Sequence, residues 1–224
     1  MTDIAKKIDS TLLKPTATAE QIDALCKEAA KYKFYSVCVN PAWVAFARES
    51  LDSYGAKDVM VCSVIDFPFG NGGAGAKVQQ ARQAIKDGAR ELDVVFNVGK
   101  YHSGSDGVIE AFGEIEDFQN AVDANDNVKT KVIIETCYLT DAEISEVSAH
   151  LVKIGVDFVK TSTGYGTRGA SVKDIELMTA AVNGKASVKA SGGIGTYEDA
   201  KAMIDAGADR IGTSHAAEIV DGQN

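Results

Sequence analysis

Short runs rich in β-branched and other apolar residues alternate along this chain with longer segments whose apolar residues recur every three or four positions. The first kind reads as buried parallel strands, the second as amphipathic helices laid over them. The pattern predicts strands over 8–13, 35–40, 59–65, 91–97, 131–136, 157–161, 186–190 and 210–213. Helices are predicted near 19–32, 41–53, 74–87, 107–124, 140–153, 172–183 and 197–205. Four helix starts carry a capping box: Thr18 with Gln21, Thr140 with Glu143, Ser171 with Asp174, and Thr196 with Asp199. Gly55, Gly88, Gly155 and Gly207 each stand between a helix and the next strand, where a left-handed residue ends the helix. Eight such units in 224 residues predict a single α/β domain, 1–224, folded as a (β/α)8 TIM barrel. An open doubly wound sheet is the alternative, because periodicity does not report closure. In a barrel, chemistry sits at the C-terminal ends of the strands, which directs attention there.

Composition narrows the classes. A net charge of -9 argues against a non-specific nucleic-acid surface. No apolar run approaches the roughly 18 residues of a membrane span. The segment from Met1 to Asp9 carries charge and lacks the apolar core of a signal peptide. Cys26, Cys38, Cys62 and Cys137 form no CxxC pair and read as buried reduced thiols, which implies a cytoplasmic protein. His102, His150 and His215 show no metal-ligand spacing, so no metal is expected, and no sequence feature calls for an organic cofactor.

Two strands end in lysine: Asp157-Phe-Val-Lys160 and Ala186-Ser-Val-Lys189. Taken alone, either reads equally as a lysine snorkelling from a strand end. Together they are harder to dismiss, because consecutive barrel strands lie about 4.8 Å apart. Two ammonium groups about 4 Å apart repel by about 4 kcal/mol at an effective dielectric of 20. At about 1.36 kcal/mol per pKa unit, that lowers one lysine from about 10.4 to near 7 or 8. A neutral amine at cellular pH is a nucleophile for carbonyl carbon. Asp93 interrupts an apolar strand two strands before Lys160, and alternate strands feed the same interior layer, so the two are expected to face each other. Asp9 sits similarly in the first strand, where a loop or capping role is the competing reading.

Small residues follow the last three strands: Gly164, then Ser191-Gly192-Gly193, then Gly212-Thr213-Ser214. Barrels often bind phosphate through backbone N–H groups of these loops, so a sugar phosphate is the expected ligand, with tight turns as the plainer explanation. Gly70-Asn-Gly72-Gly-Ala-Gly75 matches GxGxxG, but Phe67-Pro68-Phe69 separates it from its strand. It reads better as a flexible loop facing the substrate than as a dinucleotide site.

These residues resemble the deoxyribose-phosphate aldolase family of class I aldolases. The stretches that carry the resemblance are 9–15, Phe67-Pro-Phe-Gly70, Glu91-Leu-Asp93, 131–136, Lys160-Thr161-Ser-Thr-Gly164, Lys189-Ala-Ser-Gly192-Gly193 and Arg210-Ile-Gly212-Thr-Ser214. The resemblance implies reversible cleavage of 2-deoxyribose 5-phosphate, with Lys160 as Schiff-base lysine, Lys189 lowering its pKa and Asp93 relaying protons through water. It also implies phosphate-side contacts by Gly164, Gly192, Gly193, Gly212 and Ser214, no cofactor, and a homodimer; Asp9 and Thr161 are further substrate-binding candidates. The chain departs from the family pattern at Ser10 (usually His), Asp66 (usually Gly), Gly195 (usually Arg) and His215 (usually a small residue). The missing arginine bears on phosphate recognition, and Arg168 is the candidate replacement. A non-catalytic sugar-phosphate-binding barrel and an oxidoreductase using Gly70–Gly75 are the competing functions.

Overall fold

The computed structural model describes residues 4–123 and 127–223. Eight parallel strands close on themselves in chain order: β1 Ile8–Leu12, β2 Ser36–Val39, β3 Met60–Ile65, β4 Glu91–Val95, β5 Lys129–Ile133, β6 Phe158–Lys160, β7 Ser187–Ser191 and β8 Arg210–Thr213. The seam pairs Asp9 with Gly212, so the doubly wound alternative is excluded. Around the barrel run α1 Ala19–Tyr32, α2 Val44–Ser53, α3 Gly73–Lys86, the single turn α4 Val98–Tyr101, α5 Ser105–Asp123, α6 Asp141–Ile154, α7 Val172–Val182, α8 Tyr197–Asp205 and α9 Ala216–Asp221. The sequence pattern predicts neither α4 nor α9, since a helix of four to six residues is too short to show a period. The last residue of the helix expected over 107–124 lies outside the described residues. Among the described residues, no helix is long and apolar enough to cross a membrane.

Reciprocal capping bonds form at Thr140 with Glu143, Ser171 with Asp174 and Thr196 with Asp199, while Gln21 Oε1 accepts from Thr18 N. Gly55, Gly88, Gly155 and Gly207 all have positive φ, as their positions require. The main hydrophobic core lies between barrel and helices, built from Ile8, Val37, Val61, Leu92, Val132, Val159 and Ile211 facing residues such as Ile22, Leu51, Ile115 and Met178. The lumen holds a small apolar cluster around Cys38, Cys62 and Val64. Beside that cluster lie the buried charged side chains of Asp9, Glu91, Asp93, Lys131, Lys160, Lys189 and Arg210.

Two segments differ from expectation for physical reasons. The fifth strand spans Lys129–Ile133 rather than 131–136, because Glu135 turns into the left-handed region (φ 51°). There its carboxylate accepts from Thr163 N and Thr163 Oγ1, tying the β5 end to the loop after β6. The Gly70–Gly75 segment is pinned rather than flexible. Buried Lys77 donates to Asp66 Oδ2 (2.6 Å), Gly70 O (2.6 Å) and Glu114 Oε2 (2.8 Å), and Asp66 accepts from Gly72 N. Asp66 itself has φ 53°, the conformation for which glycine is preferred. Its side-chain bonds offset the strain of that backbone.

Candidate active site

Among the described residues, seven charged side chains meet in the barrel interior: Lys131, Lys160, Lys189 and Arg210 against Asp9, Glu91 and Asp93. Asp93 is the hub. Its Oδ1 accepts from Lys131 Nζ (2.8 Å), and its Oδ2 accepts from both Lys160 Nζ (2.7 Å) and Lys189 Nζ (2.8 Å). Since both amines bond the same oxygen, they cannot be further apart than those two contacts allow. Lys160 and Lys189 are register partners on adjacent strands, which is why they converge. Lys189 also donates to Asp9, Arg210 bridges Asp9 Oδ1 (2.9 Å) and Glu91, and Lys131 closes the ring on Glu91 Oε2 (2.7 Å). Arg210 stacks over Tyr35 at 3.3 Å, a favourable seat for a desolvated guanidinium.

Burial alone would raise the pKa of Asp93, but the ammonium groups of Lys131, Lys160 and Lys189 override it and hold the carboxyl well below its usual range. Asp9 follows the same logic with Lys189 and Arg210. Burial would lower Lys189, yet Asp9 and Asp93 push it above its ordinary value, so it stays charged. The expectation of two bare ammonium groups repelling across a gap is therefore corrected: a shared carboxylate oxygen stands between them. Cys62 donates from Sγ to Asp93 Oδ1 (3.1 Å), and burial pushes its thiol up.

All four cysteines are free, and Cys26 is pushed up to about 12, chiefly by burial, but Cys137 is only half-buried, not buried as expected. Cys38, Cys62 and Asp93 form one trio of potential metal ligands among the described residues. With three ammonium groups already on Asp93, that trio is a poor seat for a cation.

Above the network opens a cavity of about 500 Å³, walled by the loops after β1, β6, β7 and β8. Gly164, Gly192, Gly193, Gly212 and Ser214 all line it, and so does Lys160. Lys131 and Lys189 are fully buried and do not reach it. Asp9 and Thr161, expected to touch substrate, lie behind the wall. Asp9 is sealed against Lys189 and Arg210, and Thr161 donates to Ser191 O (3.2 Å), aligning two loops instead. Gly169 explains a close approach there: a Cβ on it would sit 2.1 Å from Gly192 O. Arg168 is also not free to meet an anion, because both its amino nitrogens bond Asp174. A second cavity of about 440 Å³ lies beside the first, lined by Phe69, Tyr138 and Tyr165, which are exposed. Tyr165 walls both, its hydroxyl donating to Leu13 O (3.2 Å) and its ring edge-on to Phe67.

Fold and comparisons together place the chain among the barrel aldolases, which are lyases. It belongs to the DeoC/LacD aldolase family, whose model matches residues 4–217. It is 51% identical to the deoxyribose-phosphate aldolase of Thermococcus gammatolerans over 98% of this chain and 96% of the relative. A solved aldolase designated QR15 superposes with a TM-score of 0.91 at 38% identity, covering 99% of this chain and 96% of that one. The deoxyribose phosphate aldolase of Aeropyrum pernix, described as a tetramer, superposes at 0.88 with 32% identity over 97% and 89% of the two chains.

Lys131, Glu91, Arg210, Lys14 and Tyr165 belong to the site without standing out in the sequence. The first three each fall at the first residue of a predicted strand, where a charge is unremarkable.

Proposed function

We propose that the protein reversibly cleaves 2-deoxy-D-ribose 5-phosphate to acetaldehyde and D-glyceraldehyde 3-phosphate, with Lys160 as the Schiff-base nucleophile. One observation carries the assignment: of the three lysines on Asp93, Lys160 alone reaches the cavity wall. Its amine adds to the C1 aldehyde of the open-chain sugar, and loss of water gives the imine. As a water on Asp93 takes the C3 hydroxyl proton, the protonated imine draws the electrons of the C2–C3 bond, releasing glyceraldehyde 3-phosphate and leaving an enamine that the same water reprotonates. Protonation at C2 and hydrolysis return acetaldehyde and the free amine. Asp93, held ionised, orients Lys160 Nζ and passes protons through a water. Lys189, held charged by Asp9, disfavours a second positive charge beside it. Gly164, Gly192, Gly193, Gly212 and Ser214 receive the phosphate end. The homodimer and the cytoplasmic setting are part of the same reading. The family's tetrameric member supports oligomerisation in general, and light scattering of the purified protein tests the dimer.

Borohydride reduction in the presence of acetaldehyde, followed by peptide mass mapping, is expected to fix a two-carbon adduct on Lys160. An unmodified Lys160 overturns the mechanism and favours a binding-only barrel. Lys189→Leu tests the electrostatics separately. Removing this cation lets the carboxylates of Asp9 and Asp93 stabilise the protonated form of Lys160. The acid limb of the kcat/KM profile is then expected to move up by about one to three pH units, with at least a tenfold loss of activity at neutral pH. A profile unchanged from the parent refutes the role given to Lys189.

A further inference from the structure

We infer that Lys14 supplies the cation that meets the substrate's phosphate, so that charge recognition comes from the loop after β1 rather than from the loops after β7 and β8. The inference rests on the sugar-phosphate reading above and deepens it. A phosphate monoester is close to a dianion at neutral pH. A chain of net charge -9 offers it no favourable general field, so a local cation matters.

The cations around the mouth can be taken in turn. Lys131, Lys189 and Arg210 are sealed in the interior ring. Lys160 is engaged with Asp93 and, in the proposed reaction, with the substrate's aldehyde end. Arg168 is bound to Asp174, Lys77 to Asp66 and Glu114, and Lys100 to Glu110. Position 195 carries glycine, and a Cβ there would come 3.9 Å from His215 Cδ2, so an imidazole stands on the side where a longer residue at 195 would begin. His215 Nδ1 in turn lies 3.6 Å from Glu218. Lys14 lines the same cavity as Gly193 and Ser214, and no hydrogen bond or ion pair engages its ammonium among the described residues.

Its backbone, by contrast, is held. Leu13 O accepts from Asn40 Nδ2 (3.2 Å) and from Tyr165 Oη (3.2 Å), and Lys14 O accepts from Ala17 N (3.1 Å). Pro15 follows, restricting Lys14 to extended conformations. A held Cα beneath an exposed, unpaired ammonium at the cavity rim leaves that charge free to meet a ligand. The glycine N–H groups shape the anion's seat, and Lys14 supplies the full charge.

The test compares kcat/KM for 2-deoxyribose 5-phosphate and for free 2-deoxyribose in the parent, Lys14→Gln, Lys14→Arg and His215→Ala. In Lys14→Gln the ratio is expected to fall about 10- to 100-fold, chiefly through KM for the phosphorylated sugar, and the inhibition constant for inorganic phosphate should rise in parallel. Lys14→Arg should recover most of the ratio, and His215→Ala should move it less than threefold. An unchanged ratio in Lys14→Gln, or a larger loss in His215→Ala, overturns the inference. Trapping of acetaldehyde on Lys160 needs no phosphate, so success there with an unchanged ratio removes Lys14 alone. If trapping fails as well, the catalytic reading falls, and calorimetric titration with inorganic phosphate still reads Lys14 by itself.

Discussion

Lys160→Ala is expected to lower kcat by about 10⁴-fold or more while leaving the fold and most of the stability intact. The loss of activity follows from the role proposed for Lys160, since no other lysine of the network reaches the cavity. The stability follows from charge balance. The interior holds four cations, Lys131, Lys160, Lys189 and Arg210, against the three anions Asp9, Glu91 and Asp93. Removing Lys160 evens the two sides, and Asp93 keeps Lys131 and Lys189 as donors. Steady-state kinetics beside a thermal melt check both halves. A variant with a tenth of parental turnover would deny Lys160 its covalent role. A melt lowered by more than about 10 °C would deny the charge argument.

Asp93→Asn should do the reverse to stability as well as removing activity. It keeps the side-chain volume but leaves four buried cations facing two anions. Breaking a buried ion pair from one side typically costs about 3–5 kcal/mol. At about 2–4 °C per kcal/mol for a chain of this size, Tm should fall by roughly 6–20 °C. The pH dependence is distinctive. The Asp93 carboxyl is depressed in the folded state, so its contribution is complete above the unfolded value of about 3.9 and is lost as pH falls below it. Lys189 is raised, so its contribution is complete below about 10.4 and is lost only at higher pH. The parent should therefore be most stable between about pH 4 and 10 and lose stability steeply in acid. The asparagine variant should start lower and lose less between neutral pH and about pH 3. Calorimetric melts across that range decide it, and parallel curves for the two proteins would overturn the account.

Much of this arrangement is legible in the order of residues alone. Lys160 and Lys189 announce themselves because an ammonium at the end of a buried strand is expensive, and two on neighbouring strands must meet. Asp93 is visible for the same reason. Lys131 is not, because the apolar pattern starts the fifth strand at 131, and a lysine at a strand's first residue is unremarkable. With β5 running Lys129–Ile133, Lys131 is its central residue, in register with Asp93. Only the register shows that. Arg168 fails in the opposite sense: its loop position suggests an anion partner, but Asp174 is near enough in sequence to claim it. Lys14 and Tyr165 sit on loops, where no period distinguishes a side chain that lines a cavity from one in solvent. Gly195 and His215 register only as departures from a family pattern, and their proximity is a property of the folded loops.

The seam between β1 and β8 has a consequence for how the reactive amine comes into being. Asp9 lies 180 positions from Lys189 and 201 from Arg210, yet it holds both. The ion network around Lys160 therefore needs the first strand and the last two strands of the barrel in place. A chain still emerging from the ribosome presents Asp93 and Lys160 before Lys189 and Arg210 exist to join them. The complete ring of charges forms only when the final strand docks beside the first, so closing the barrel assembles the setting that the proposed reaction requires.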